Sequence, residues 1–362
     1  MKLGRTLQEL AIELDRRENA KKDYLTDTRN MIMDASENGA KLSIHNDKTG
    51  ETLIFDINEV AHDQIGDRLS IPDRYYEKMR RENPELLAQN VNSWFQKNPE
   101  TRMIRTLDGT ARAFLSDRYR RIDNFQIAQH VLPILVEMAE QEGARVESCE
   151  VTDERMYLKV VNPRLTADVV PGDTVQSGML ITNSEVGKGS LTVQPLVYRL
   201  VCTNGMVVND ARTRKYHVGR GNIAAEDFTL FSDETLKADD YALMLKIQDT
   251  VRAVIDEVRF NKVVDMMRFA KEAKITTSHI PEMVELGATD FGYTKEEGKG
   301  ILDYLIRGGD LSLYGYANAT TRFAQDVGSY DRSTALEGIG YNILGMSQRQ
   351  WDKLQKIEKV AA

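Results

Sequence analysis

Cysteine is scarce in this sequence, and the other markers of secreted and membrane proteins are missing. The two cysteines, Cys149 and Cys202, lie 53 positions apart. Such a pair provides no disulfide framework, which favours a reducing, cytoplasmic location. No stretch approaches the ~18 apolar residues that a membrane-spanning helix needs, and the charged N-terminus lacks the apolar core of a signal peptide. We therefore expect a cytoplasmic protein with no membrane partner.

Recognisable catalytic and metal-binding motifs are missing as well. The five histidines are scattered, and neither cysteine has a CxxC partner. There is no GxSxG elbow and no GxGxxG fingerprint. The segment Gly187-Lys188-Gly189-Ser190 lacks the earlier glycine of a phosphate-binding loop, and a strand pattern follows it. We expect no catalysis, no cofactor and no metal site. A nuclease or other enzyme with a metal held by scattered carboxylates is the alternative that the sequence leaves open.

Length and charge constrain the organisation of the chain. Its 362 residues suggest two domains at about 150 residues per domain. We place an α/β body at residues 1–230 and a helical region at 231–362. The 48 basic and 56 acidic residues give a formal net charge of -8. The average is therefore acidic, but it does not exclude a local basic groove.

Hydrophobic periodicity predicts an α+β fold in which a mixed or antiparallel sheet body precedes an all-helical region with a long helix. The predicted helices cover residues 1–20, two segments that begin at Pro72 and Pro84, 123–141, 236–273, 296–306, 311–326, 333–344 and 348–360. The predicted strands are 42–45, 52–56, 101–107, 111–116, 145–151, 155–161, 169–182 and 190–202. Asp108-Gly109 predicts a tight hairpin turn. The segment 236–273 forms one long helix or two nearly continuous helices in this interpretation, and a long helix suggests a connector or an oligomer contact.

Two segments are basic against the acidic average. Residues 101–122 contain six arginines and two aspartates, and residues 212–220 contain four basic residues and no acid, so each has a local charge of +4. The remaining residues must then sum to -16. Tyrosines lie among these cations, which suits single-stranded nucleic acid because phosphates pair with cations and free bases stack on aromatic rings. The candidate contact residues are Arg102, Arg105, Arg118, Tyr119, Arg120, Arg121, Arg199, Arg212, Arg214, Lys215, Tyr216 and Arg220. The alternative is a set of ordinary sheet arginines paired with carboxylates across strands.

Three segments resemble a phage- and plasmid-borne family known as domain of unknown function 932. They are SDRYRRIDNFQ at 116–126, PGDTVQSGMLITNSEVGKGSLTVQPLVYRLVCTNGM at 171–206 and SLYGYANATTRF at 312–323. The middle segment is the most specific. The resemblance implies an intracellular setting on mobile elements, often beside genes for DNA maintenance, recombination and anti-restriction. It transfers no catalytic residue.

The sequence thus supports two functional hypotheses. The first is a non-catalytic protein that binds or anneals single-stranded DNA in recombination or DNA maintenance, as a homo-oligomer. The second is a phage factor that engages or inhibits a host protein, with its acidic helical region steering the association. Nuclease-insensitive recovery of a stoichiometric host protein would favour the second.

Overall fold

The fold was taken from a computed structural model that describes residues 1–36, 39–46, 49–209, 214–216 and 233–356. The strands are β1 (Lys22–Asp27), β2 (Met31–Ser36), β3 (Gly39–His45), β4 (Thr52–Ile57), β5 (Thr101–Leu107), β6 (Thr110–Ser116), β7 (Arg145–Val151), β8 (Met156–Asp168), β9 (Thr174–Asn183), β10 (Leu191–Arg199), β11 (Asn204–Val207) and β12 (Arg214–Tyr216). The helices are α1 (Leu7–Ala20), α2 (Glu59–Arg68), α3 (Asp73–Glu82), α4 (Pro84–Lys97), α5 (Asn124–Glu142), α6 (Asp233–Ala253), α7 (Glu257–Glu272), α8 (Ile280–Phe291), α9 (Lys295–Gly308), α10 (Leu313–Phe323), α11 (Tyr330–Leu344) and α12 (Gln348–Gln355).

The first sheet has the strand order β1-β5-β6-β4-β3-β2, and its inner face packs on α2, α3 and α4. Its central hairpin, β5–β6, turns at Asp108 and Gly109, whose φ angles are 50° and 78°. Both residues have the positive φ that the Asp-Gly turn motif accommodates. Phe95 of α4 stacks on Phe114 of β6 with 5.7 Å between ring centroids, so the hairpin and the helix share a core.

The second sheet has the order β11-β10-β9-β8-β7, and β12 pairs with β10 beside that path. Side chains alternate between the two faces of a strand. On one face, Leu158 and Ile181 belong to the core formed with α1, α5 and α6. On the other face, Tyr157 and Leu180 pack with Tyr330 of α11. The sheet is therefore covered by helices on both faces.

The helices that follow residue 230 form an all-helical region, and its core continues into the second sheet. Val197 and Met206 of the sheet lie in one hydrophobic cluster with Leu336 of α11 and Trp351 of α12. The predicted α+β class is confirmed. The division of the chain near residue 230 stays a prediction.

Several predicted elements match the structure closely, and others were missed. Of the two interpretations of 236–273, the structure matches the one with two helices, because Asp256 caps α7 by accepting a hydrogen bond from the backbone N–H of Arg259. Strands β1, β2, β11 and β12 were not predicted, and β1 shows no clean alternation of buried and exposed residues. Helices α2 and α8 were also missed. These misses leave the fold class unchanged.

Candidate nucleic-acid interface

Arg105 of the basic hairpin is a buried link between the two sheets. Its Nε donates to Asp23 Oδ1 at 2.9 Å, its Nη2 to Asp123 Oδ1 at 2.7 Å and its Nη1 to the carbonyl of Glu185 at 2.9 Å. Burial opposes the charge, but the carboxylates of Asp123 and Asp23 outweigh it and hold the pKa of Arg105 above its ordinary value. With its side chain fully buried, Arg105 presents no charge to a ligand.

The other arginines on the two strands of the hairpin are also engaged within the protein. Arg112 donates to Glu185 Oε2 at 2.6 Å, and both side chains are buried. Arg102 lies over the ring of Phe114, with 4.9 Å from the guanidinium carbon to the centroid, and burial lowers its pKa. The alternative interpretation of the hairpin, arginines satisfied by internal partners, describes these side chains.

The segment after β6 differs from the hairpin because part of its charge reaches solvent. Arg118 is exposed and forms no ion pair with any described residue. Arg121 is exposed, with 3.5 Å from its Nη1 to Asp23 Oδ2. Arg120 is more enclosed and pairs with Asp239 and Asp240 of α6, at 2.9 and 2.5 Å. Two cations of this segment are therefore available at the surface.

Tyr119, between those arginines, is anchored rather than free to stack. Its hydroxyl donates to the carbonyl of Ser184 at 3.0 Å. Its ring packs against buried hydrophobic side chains of the core. Burial raises the pKa of its hydroxyl to about 12. The tyrosine fixes the segment after β6 onto the loop that precedes β10.

Arg199, at the end of β10, lies apart from the other candidates. It forms a bidentate pair with Asp173, at 2.6 and 2.8 Å, and lies over the ring of Tyr314. Burial opposes its charge, but the hydrogen bond to Asp173 and the nearby charges raise its pKa. Its contacts connect the sheet to α10.

The second basic segment is only partly within the described residues. Arg212 and Arg220 lie outside them. The backbone of 214–216 forms β12, which pairs antiparallel with the start of β10, so that Lys215 stands opposite Thr192 and Tyr216 opposite Leu191. The start of β10 directly follows the loop on which Tyr119 is anchored.

Tyr119 of the first basic segment and the backbone of β12 from the second both lie at this end of the second sheet. The loop from Ser184 to Ser190 contacts Tyr119 on one side and leads into the strand that pairs with β12 on the other. Arg155 lies at the same loop, where its Nε donates to the carbonyl of Lys188 at 3.0 Å. The two segments are far apart in the sequence, so the sequence does not predict that they approach the same loop. The approach results from the strand register.

Next to this loop, a polar cavity of about 420 Å³ opens between the sheet and α11. Strand residues Tyr157, Thr182 and Thr192 line it from the sheet, and Asp331 and Thr334 line it from the helix. Asp331 Oδ1 accepts hydrogen bonds from the Tyr157 hydroxyl at 2.7 Å and the Thr152 hydroxyl at 3.0 Å. Burial, with a smaller contribution from Asp331, raises the pKa of Tyr157.

The residues of this cavity were not among the sequence candidates. Tyr157, Thr182 and Thr192 share a row across β8, β9 and β10, and Asp331 is more than 130 residues further along the chain. A strand pattern shows which residues share a face, but not which helix covers it. The segment 312–323, which resembles the family, forms the buried helix α10 and lies outside the lining of the cavity.

Two further classes of feature are absent from the part of the chain that the structure describes. There, no group of three or more histidine, cysteine, aspartate or glutamate side chains is arranged to hold a metal ion. Among the same residues, no helix combines the length and apolar character needed to cross a membrane.

Comparison with known proteins gives one match. No curated protein and no solved structure matches the chain. Residues 113–228 match the model of a family described as a domain of unknown function, DUF932. The match includes two of the three resembling segments, 116–126 and 171–206, as well as β12 and the loop beside the cavity. The central third of the chain, which contains Tyr119 and β12, is therefore similar to the DUF932 domain.

Proposed function

We propose that this protein binds single-stranded DNA without catalysis, at the end of the second sheet where Tyr119 and β12 lie. The proposal rests on the placement of Tyr119 and of the β12 backbone beside the loop from Ser184 to Ser190. Arg118 and Arg121, which flank Tyr119 in the sequence, are exposed. The segment 212–220 adds four basic residues without an acid. Such local positive charge binds phosphates through counterion release even when the total charge is negative.

The proposed setting follows from the family resemblance and the proposed ligand. We infer a phage or plasmid protein that acts in the host cytoplasm, in DNA recombination or maintenance, as a homo-oligomer that extends the contact along a strand. Arg105 and Arg199 have structural roles in this proposal, because their guanidinium groups pair with aspartates. Arg102 and Arg120 likewise have structural roles, because they contact Phe114 and the aspartates of α6, respectively.

The direct test is the salt dependence of binding to a fluorescently labelled single-stranded oligonucleotide, read by anisotropy. The slope of log affinity against log salt becomes shallower by about 0.7 for each phosphate of a single strand that the protein no longer neutralises. The double variant Arg118→Glu, Arg214→Glu should bind more weakly and with a shallower slope. Arg81→Glu, an exposed arginine of α3, is the control for the charge change.

Two results would contradict the proposal. One is an absence of binding at ~50 mM salt, where phosphate contacts are strongest. The other is a double variant that binds with the affinity and slope of the Arg81→Glu control.

Binding to a host protein is the second candidate, and the exposed side of α7 favours it. Val258 and Phe269 are 62% and 71% exposed, and their separation places them along one side of the helix. They would provide apolar contacts for a partner protein on this side of α7. Nuclease-insensitive capture of a stoichiometric host protein, abolished in Phe269→Glu, would support this candidate.

A further inference from the structure

A mostly apolar pocket of about 320 Å³ lies between the second sheet and α7, at the joint where α6 ends and α7 begins. Its volume falls within the ~300–1,000 Å³ of sites that bind small molecules. Val197 and Val208 line it from the side of the sheet, and Phe260 and Val263 line it from α7. These four side chains keep 3–6% of their surface accessible. The pocket therefore offers a ligand two apolar walls.

The sheet side of the pocket lies where β10 changes its pairing partner. Strand β12 pairs with residues 191–193 of β10, and β11 pairs with residues 196–199. Pro195 lies between these two stretches and lines the pocket, and a proline has no backbone N–H that would need a partner. Its carbonyl accepts a hydrogen bond from the backbone N–H of Val208 at 2.9 Å. This wall is therefore held in place before a ligand binds, which lowers the conformational cost of binding.

Two cations at the rim of the pocket have no ion-pair partner among the described residues. Arg259 and Lys262 both belong to the lining, and side chains three positions apart lie on the same side of a helix. Neighbouring basic residues of these helices, in contrast, pair with carboxylates. Asp256 is the one acidic residue of the lining, and its Oδ1 accepts a hydrogen bond from the backbone N–H of Arg259 at 2.8 Å. With two cations and one carboxylate, the lining has one positive charge in excess.

An apolar interior with a cationic rim selects the chemistry of the ligand. The valine and phenylalanine side chains favour a hydrocarbon chain or ring, because apolar surface of both partners is removed from water. A charged group is costly in such an interior. At the rim, however, Arg259 and Lys262 can form charge-assisted hydrogen bonds with a carboxylate. The single excess charge of the lining matches a monoanion.

We propose that this pocket binds a small amphipathic carboxylate, with its apolar body between the sheet and α7 and its carboxylate at Arg259 and Lys262. Val254 and Ile255 of the joint also line the pocket, so the ligand contacts the connection between α6 and α7. None of the candidate DNA-contacting residues belongs to the lining. The inference is therefore independent of the proposed DNA binding.

The test compares octanoate with octanol, the uncharged alcohol that has the same number of carbon atoms. Isothermal titration calorimetry on the full chain measures the binding of each. For the wild-type protein we expect octanoate to bind several-fold more tightly than octanol. In the double variant Arg259→Gln, Lys262→Gln this preference should fall towards one. The matched control is Lys299→Gln, Arg307→Gln, which removes the same two charges from exposed positions of α9 outside the lining. It should keep the wild-type preference.

A further variant tests the location of the ligand. Met266→Trp enlarges a side chain of the lining and should abolish the binding of both octanoate and octanol. A cooperative thermal transition in circular dichroism checks that this variant is folded. If it does not fold, the charge variants at the rim still decide the proposal.

Four results would overturn the carboxylate site. The first is an absence of octanoate binding to the wild-type protein, and the second is an unchanged preference in the Arg259→Gln, Lys262→Gln variant. The third is an equal loss of preference in the α9 control, because the effect would then come from the total charge. The fourth is a folded Met266→Trp variant that binds octanoate as the wild-type protein does, because the ligand would then bind elsewhere.

Discussion

At the scale of single residues, charged and titratable groups inside the protein have definite partners. Lys159 of β8 is fully buried, and its Nζ lies 2.7 Å from Glu337 Oε2 of α11. Burial lowers the pKa of Lys159, and the carboxylate of Glu337 opposes that shift. The pair positions α11 on the sheet directly beside the cavity.

Replacing only one partner of this pair should destabilise the protein strongly. We expect Lys159→Met to lower the free energy of unfolding by ~3–5 kcal/mol, because it leaves a buried carboxylate without its cation. Urea unfolding at pH 7 measures this change. The double variant Lys159→Met, Glu337→Leu should recover most of the stability. If the double variant is as unstable as the sum of the two single variants, the pair is not coupled.

A second residue makes stability depend on pH. His62 of α2 is buried with its Nδ1 2.8 Å from the Tyr76 hydroxyl, and burial lowers its pKa from 6.5 to about 4. The unfolded chain takes up a proton near pH 6.5 and the folded chain does so only near pH 4. The contribution of His62 to the free energy of unfolding is therefore fully present above pH 6.5. It decreases by up to about 3 kcal/mol as the pH falls to 4.

The contribution of His62 is the difference between two pH profiles. Denaturant unfolding of the wild-type protein and of His62→Phe, followed from pH 7.5 to pH 4, isolates it from the carboxylates that both proteins share. We expect a shallower decline in His62→Phe. Tyr76→Phe is the control because it retains the histidine, and its decline should resemble that of the wild-type protein. Parallel profiles for all three proteins would show that another group causes the decline.

At the scale of elements, the β5–β6 hairpin links the two sheets through Arg105. We expect Arg105→Met to lower the free energy of unfolding by ~3–5 kcal/mol, because Asp23 and Asp123 lose a buried cation. Arg118→Met is the matched control on the segment that follows the same hairpin. Since Arg118 is exposed, its change should lie within ~0.5 kcal/mol. Chemical denaturation compares them, and equal effects would contradict the structural role of Arg105.

The elements also show which features of the fold can be predicted from local sequence patterns. The turn at Asp108-Gly109 and the starts of helices at prolines depend on neighbours in sequence, so the sequence alone predicts them. Strand β1 could not be predicted in this way, because its pairing partner, β5, follows it by about 80 residues and its own pattern of burial is irregular. The cavity depends on a helix that crosses from the far end of the chain, which no local pattern contains.

At the scale of the whole molecule, the segment similar to DUF932 depends on the rest of the chain. Residues 113–228 begin inside β6 and lack β5 as well as α11. Without those elements, the Asp123 carboxylate and the carbonyl of Glu185 lose Arg105 as a hydrogen-bond donor, and one face of the second sheet has no helical cover. We expect the isolated segment to unfold without cooperativity in thermal circular dichroism, whereas the full chain unfolds in a sharp transition. A cooperative transition in the segment would show that it folds independently.

The amino-acid sequence by itself determined the α+β class, the hairpin turn and the positions of the main helices, because these follow from periodicity and turn chemistry among near neighbours. It also showed that positive charge is concentrated in two segments. Only the tertiary structure decided which cations are available. The carboxylates that neutralise Arg105 lie 82 and 18 positions away, and those beside Arg120 lie on α6. The same folding leaves Arg118 and Arg121 exposed, because ion pairing depends on distance in space and not on distance along the chain.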